Sequence, residues 1–164
     1  MCAAYPTVVS QVFYEYEMSS LLEGVSVEEV WSRVSTWEGV NYELGPLVQM
    51  SVPQEYPRVS DIPADGKVHF TSKVRLLGVI PVDSHRFGLR AIDLPHYFDE
   101  RSENHMMRVW CHKRTISEMD GSVIVTDQCG FEPRLPILGR VILGIYRLVF
   151  RRRHRRLTRY FGQR

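Results

Sequence analysis

The Asp120-Gly121 pair constrains the fold more than any other feature, because it is a strong two-residue hairpin turn between two alternating runs. A turn here fixes which residues face each other on the two strands. One face then carries Trp110, His112, Arg114, Ile116, Val125, Asp127, Cys129 and Phe131. The opposite face carries Lys113, Thr126 and Gln128, which we expect in solvent. A one-residue slip would exchange the two faces, so the register decides the interior.

Alternation elsewhere predicts further strands at 10–18, 67–76, 84–93 and 97–101. Two short helices are predicted between the first two strands. Ser26 and Glu29 form a capping box at the first helix, and Thr36 caps the second. The second helix is expected to end at Gly45-Pro46.

A long helix is predicted over 137–161 at the end of the chain. Spacings of three and four residues give it an apolar stripe made of Ile142, Tyr146, Phe150, His154, Leu157 and Phe161. We expect this stripe to face the sheet and the arginines to stay outside. The order of elements predicts an α+β fold in which a curved antiparallel sheet wraps around the C-terminal helix. The length of 164 residues suits one domain over 1–164.

Four segments carry a resemblance to a known superfamily: EGVNYELGPLVQM at 38–50, WCHKRTI at 110–116, VTDQCGFEP at 125–133 and RRRHRRLTRYFG at 151–162. With the element order, they resemble the helix-grip fold of the START-like (SRPBCC) superfamily, in its polyketide cyclase/dehydrase-like ligand-binding branch. That superfamily includes lipid carriers, hormone receptors and aromatase/cyclases. The resemblance therefore implies a fold without deciding a function.

The candidate ligand-binding residues are those expected to border a cavity between the sheet and the last helix. They are Tyr14, Tyr16, Phe70, Trp110, His112, Arg114, Phe131, Tyr146, Phe150 and His154. The alternative for each aromatic ring is ordinary core packing, which is the commoner role. Bulk and face parity alone leave both interpretations open.

His112 is the candidate acid or base, because imidazole titrates near neutral pH. Its alternative role is that of a core histidine satisfied by hydrogen bonds. Arg114 lies opposite Asp127 in the predicted register. An ion pair is the simpler interpretation, since one of these charges buried alone would be costly. A clamp for a ligand carboxylate is the alternative.

His154 lies on the apolar stripe and is expected to face the same cavity as His112. The two histidines have no third ligand at a metal-binding spacing, so no metal site is predicted. The sequence also lacks a P-loop, a G-x-G-x-x-G segment and a G-x-S-x-G segment. No cofactor is expected.

The charge of the chain is strongly asymmetric. Ten arginines and no acidic residue lie in 134–164, whereas the rest of the chain has a balance of −8. The arginines are expected to dock on the acidic body, with an anionic membrane surface contacted through Arg151, Arg152, Arg155 and Arg156 as the alternative. Nucleic acid is disfavoured, because few aromatic side chains lie among the arginines.

Three cysteines at 2, 111 and 129 give no disulfide framework and favour a reducing, cytoplasmic location. The register places Cys111 and Cys129 on opposite faces.

Three functions compete on this evidence. The first is a carrier or sensor for a small hydrophobic or amphipathic ligand, such as a lipid or polyketide-like molecule. The second is an aromatase/cyclase-like enzyme that uses His112. The third is a peripheral membrane or partner-binding protein acting through the basic helix.

Overall fold

The computed structural model describes residues 12–163, in which eight strands and three α-helices form. The strands are β1 Tyr14–Glu23, β2 Val48–Met50, β3 Phe70–Leu76, β4 Ile80–Phe87, β5 Leu89–Asp93, β6 Tyr97–Ser102, β7 Met107–Met119 and β8 Ser122–Pro133. The helices are α1 Val27–Val34, α2 Trp37–Leu44 and α3 Gly139–Gly162. The first strand was predicted at 10–18; its first two positions lie outside the described residues.

The β7–β8 hairpin has the predicted register. Trp110 pairs with Phe131, and Arg114 pairs with Asp127. Asp120 and Gly121 adopt φ angles of 52° and 75°, the left-handed region that such a turn requires. Local turn chemistry therefore sets which side chains of the two longest strands point inward.

The strands form one curved surface. One sheet has the order β1-β8-β7-β6-β5 and the other β2-β3-β4. The segment predicted as one strand at 84–93 is divided at Gly88 into β4 and β5. A bridge between Arg86 of β4 and Glu103, the residue after β6, joins the second sheet to the first. A Cβ atom at Gly88 would lie 2.6 Å from the Lys67 carbonyl oxygen, which explains the glycine.

The two short helices begin as predicted. The Ser26 hydroxyl accepts from the Glu29 amide, and the Glu29 carboxylate accepts from the Ser26 amide. The Thr36 hydroxyl accepts from the Gly39 amide at the start of α2. Gly45 caps the end of α2.

The helix α3 packs its apolar stripe against the sheet, which makes the fold an α+β helix-grip. Phe150, His154, Leu157 and Phe161 are buried on this stripe, and Tyr146 is half-buried. A short 3₁₀ turn at Pro136–Leu138 precedes the helix. Gly139, at its first position, allows close approach: a Cβ there would lie 2.3 Å from the Tyr14 ring.

Candidate functional site

A buried cluster of charged and titratable side chains lies between α2, the sheet and α3. It contains Glu43, His85, Glu100, His112, Arg114, Asp127, Arg153 and His154. Every member is at most 8% exposed. We refer to these eight residues as the charged cluster.

Arg114 is the centre of the charged cluster. Its Nε and Nη2 atoms donate to the two Asp127 oxygens, both at 2.7 Å. Its Nη1 and Nη2 atoms donate to the two Glu43 oxygens, both at 2.8 Å. The predicted pair with Asp127 is present, and a second carboxylate from α2 completes it. All three nitrogens of the guanidinium donate to this chain's own carboxylates, so the arrangement is an ion-pair network rather than an open anion clamp.

Asp127 also joins two histidines. His112 Nε2 lies 2.9 Å from Asp127 Oδ1, and His154 Nε2 lies 3.0 Å from Asp127 Oδ2. The other ring nitrogen of His154, Nδ1, lies 2.8 Å from the Ser20 hydroxyl. The two histidines thus converge from sheet and helix, but on a carboxylate rather than on open space.

The charged cluster continues to Glu100 on β6. Glu100 accepts from the Ser102 hydroxyl at 2.6 Å and binds the ring of His85. His112 Nδ1 lies 3.5 Å from the second Glu100 oxygen. His112 is therefore flanked by carboxylates on both sides of its ring.

Charge balance explains how so many ions remain buried together. Glu43, Glu100 and Asp127 face only two arginines, which leaves one negative charge when the histidines are neutral. Burial lowers the pKa of His112, but Asp127 and the bond to Glu100 outweigh this and raise it above its usual value. A proton on His112 neutralises the charged cluster.

The carboxylates respond in the opposite direction. Burial alone would raise the pKa of Asp127, yet Arg114 and His112 hold it well below its usual range. Burial would also raise the pKa of Glu43, but Arg114 and Arg153 outweigh burial and lower it below its usual value. Both groups are carboxylates at neutral pH.

An aromatic cluster lies beside the charged cluster, between the sheet and the first half of α3. Its members are Tyr14, Tyr16, Trp110, Phe131, Tyr146 and Phe150. The Trp110 ring centroid lies 4.7 Å from that of Tyr146, and Tyr14 stacks on Phe131 at 5.3 Å. Phe150 joins the two clusters, since its ring meets that of His112 at 5.2 Å.

Three buried side-chain atoms of the described residues lack a hydrogen-bond partner: the Tyr16 hydroxyl, Arg33 Nε and Ser35 Oγ. Of these, only Tyr16 belongs to the aromatic cluster. It is 8% exposed, and its hydroxyl has the Cys129 thiol, a weak acceptor, beside it but no oxygen or nitrogen partner within residues 12–163. Burial, followed by the neighbouring Cys129 thiol, raises the pKa of Tyr16 far above its usual value, so the hydroxyl keeps its proton. A buried hydroxyl without a partner costs free energy that a bound polar group could recover.

The structure brings nine of the ten candidate residues together. Six form the aromatic cluster, and His112, Arg114 and His154 belong to the charged cluster. Phe70 lies apart, in the other hydrophobic core, where it stacks on Phe87 at 5.2 Å.

Sequence reasoning missed three members of the charged cluster: Glu43, His85 and Arg153. The sequence predicted that all arginines of α3 lie outside the core, and this prediction is wrong for one of them. Arg153 is 7% exposed, and its Nη2 lies 3.1 Å from Glu43 Oε2. Arg153 follows Phe150 by three residues and precedes Leu157 by four, so helical phase did place it on the inward face.

Neither His112 nor His154 lines any of three clefts that lie among the described residues. One of about 960 Å³ lies along α2 and is lined by Arg33, Thr36, Trp37, Glu38, Asn41, Tyr42, Val52, Pro53, Gln54 and Pro57. One of about 390 Å³ is lined largely by polar residues of the sheet, including Arg90, Asp99 and Lys113. The third, of about 270 Å³, includes Ser84 and Arg134. The expected cavity bordered by both histidines is not one of them.

As the register predicted, Cys129 is not joined to Cys111: Cys129 is a free, buried thiol. The cytoplasmic location stays a prediction. Within 12–163, no set of three His, Cys, Asp or Glu side chains is arranged to hold a metal ion. None of the helices described has the length and hydropathy to cross a membrane.

Comparison with known proteins identifies the family and the fold. A family model described as "Domain of unknown function (DUF8410)" matches residues 23–161. No curated protein sequence matches the chain.

Solved structures are similar at low sequence identity. The crystal structure of Ara h 8.0201 has a TM-score of 0.64 at 12% identity and covers 93% of this chain and 100% of that one. A START superfamily protein from Mycobacterium smegmatis has a TM-score of 0.63 at 12% identity, covering 92% and 97%. DynU16, from the dynemicin biosynthetic locus, has a TM-score of 0.56 at 14% identity, covering 88% of this chain and 46% of that one. These likenesses show a START-like (SRPBCC) fold.

Proposed function

We propose that this chain, which belongs to the DUF8410 family and has a START-like fold, binds a small amphipathic molecule between the sheet and α3 as a carrier or sensor. The observation that carries the proposal is the buried Tyr16 hydroxyl, which has no oxygen or nitrogen partner in residues 12–163 and lies within the aromatic cluster. Such a group suits the polar end of a molecule whose apolar part packs on the rings.

The aromatic cluster supplies the apolar surface. Its rings come from β1, β7 and β8 on one side and from α3 on the other. Tyr146, from α3, closes over Trp110 and Phe131, with centroids 4.7 Å and 5.9 Å away. Because Tyr146 is half-buried at the edge of the cluster, movement of this ring would open a path to Tyr16.

The charged cluster borders the aromatic cluster on one side and is held together by its own hydrogen bonds. Its ions satisfy one another through the contacts at Arg114 and Asp127. We therefore assign His112, Arg114 and His154 to holding α3 and α2 on the sheet, and only the aromatic cluster to ligand contact. A fixed polar network of this kind limits the ligand to the half of the interior nearest the start of α3.

The contacts of His112 favour a carrier or sensor over a cyclase-like enzyme. A general base must reach a substrate proton with a free nitrogen. His112 Nε2 is bonded to Asp127 at 2.9 Å, and Nδ1 faces Glu100 at 3.5 Å. The ring is 4% exposed. The closed arrangement leaves this histidine no nitrogen for acid–base chemistry.

The test is displacement of an environment-sensitive dye, anilinonaphthalene sulfonate, by fatty acids and by planar aromatic acids. Tyr16→Phe removes the hydroxyl and keeps the ring. We expect this variant to bind the displacing compound about two- to tenfold more weakly, the usual worth of one hydrogen bond. Tyr56→Phe is the matched control, because Tyr56 packs in the other core.

Equal affinities for wild type and Tyr16→Phe would contradict the assignment of the polar anchor. Dye binding that no fatty or aromatic acid displaces would contradict the proposed function itself. Unfolding by urea should show that both variants fold, so that a loss of binding is not a loss of structure.

A further inference from the structure

The outer face of α3 exposes a row of aliphatic side chains. Ile137, just before the helix, and Val141, Ile145 and Leu148 within it are 88%, 60%, 51% and 59% exposed. Their spacing of four, four and three residues puts them on one side of the helix. The row is about 17 Å long at the rise of an α-helix. We call these four residues the outer row.

Arginines accompany the outer row. Arg140, Arg147, Arg151 and Arg155 are exposed on the same outward side of α3. No acidic residue lies anywhere in 134–164 to offset them. Arg152 and Arg156, by contrast, turn towards α2, where they donate to the carbonyl oxygens of Gly45 and Tyr42. The exposed basic set thus differs from the one that the sequence suggested.

We propose that the outer row docks this protein on an anionic phospholipid bilayer, with α3 lying in the plane of the interface. Exposed aliphatic side chains enter the boundary of the acyl chains, while the neighbouring arginines contact lipid phosphates. Both requirements are met on one side of one helix.

Charge decides against other occupants of this surface. A second copy of the chain, packed symmetrically on the same face, would bring two sets of arginines together without an acid on either helix. A nucleic acid would need aromatic or polar contacts, whereas the outer row is aliphatic. An acidic bilayer offsets the arginines and also accepts the apolar side chains.

Sedimentation with vesicles tests the proposal. We expect the protein to bind phosphatidylcholine vesicles that contain phosphatidylglycerol, and to bind pure phosphatidylcholine vesicles weakly. The double variant Ile145→Gln/Leu148→Gln should lower the affinity about tenfold or more, because it removes the inserted side chains. Arg147→Gln should lower it about fivefold, and added salt should weaken the wild type.

Leu21→Gln is the matched control. Leu21 is 48% exposed and alternates with the inward-facing Ser20 and Leu22 on β1, so it points away from α3. This variant should bind vesicles like the wild type. Equal binding by Ile145→Gln/Leu148→Gln would overturn the proposal, as would no vesicle binding combined with a dimer that the same double variant dissociates.

The vesicle experiment and the ligand experiment test the two proposals independently. Tyr16→Phe should leave vesicle binding unchanged, because Tyr16 is buried between the sheet and α3, away from the outer row. The outer-row double variant should leave dye displacement unchanged. Membrane docking can thus be disproved while the proposed ligand binding stands, and the reverse.

Discussion

Arg114 and Glu43 lie 71 positions apart in sequence, and both terminal nitrogens of the guanidinium donate to the carboxylate at 2.8 Å. This fork joins the middle of the sheet to the end of α2. Arg153 from α3 binds the same carboxylate. Glu43, on α2, therefore links that helix to both the sheet and α3.

Replacing Glu43 should destabilise the fold strongly. Glu43→Gln leaves two buried arginines short of one counter-charge, so we expect the free energy of unfolding to fall by about 3–5 kcal/mol. Urea denaturation followed by circular dichroism measures the change. Glu38→Gln is the control: the Glu38 side chain is 82% exposed in its pair with Arg33. That variant should lose about 1 kcal/mol or less, and equal losses in both would contradict the network.

The stability of the protein should depend on pH on both sides of a maximum. The folded-state pKa of His112 is raised above 6.5, so its contribution is present below that pH and is lost as pH rises through the folded pKa. The pKa values of Asp127 and Glu43 are lowered, so their contribution is present above their usual values, 3.8 and 4.5, and is lost as pH falls.

Urea denaturation between pH 5 and pH 9 tests the histidine side of this dependence. Wild type should lose stability as pH rises, with a slope of at most about 1.4 kcal/mol per pH unit. His112→Gln should be less stable overall and should lack most of this slope. Parallel pH profiles for the two proteins would show that another group is responsible.

Two glycines of α3 should respond oppositely to alanine. Gly139→Ala places a methyl group against the Tyr14 ring, 2.3 Å from its nearest atom, and we expect a loss of about 1–3 kcal/mol. Gly144 has no atom within 4 Å of an added Cβ. Gly144→Ala should therefore stabilise the helix by up to about 1 kcal/mol. Thermal unfolding of both variants measures the difference, and a gain from Gly139→Ala would contradict the close contact of α3 with β1.

The interior of the hairpin was predictable because its information is local. The Asp120-Gly121 turn sets the register, and the register aims Arg114 and Asp127 inward. Glu43 carries no such signal. Glu38 and Glu43 belong to the same eight-residue helix and look alike in sequence, yet one is exposed and the other buried. Helical phase separates them, since Glu43 follows the buried Gly39 by four residues, but its partner Arg114 lies 71 positions away.

The cavity was the part of the site that patterns could not decide. The inward faces of sheet and helix were predicted except for Arg153, but packing determines whether space remains between them. Here His112 and His154 both reach Asp127, and that contact closes the middle of the interior. The Tyr16 hydroxyl lies in the other half of the interior, nearest the start of α3. Its lack of a partner follows from interatomic distances, which no sequence pattern contains.

The most direct test of the central claim uses the three tryptophans as reporters in an NMR titration with dodecanoate. Trp110 lies in the aromatic cluster, Trp31 in the other core and Trp37 along the cleft beside α2. Each indole N–H gives its own signal. Binding between the sheet and α3 predicts that the Trp110 signal shifts in a saturable manner while those of Trp31 and Trp37 stay in place. A shift of Trp37 alone, or no shift at Trp110 at saturating dodecanoate, would contradict it.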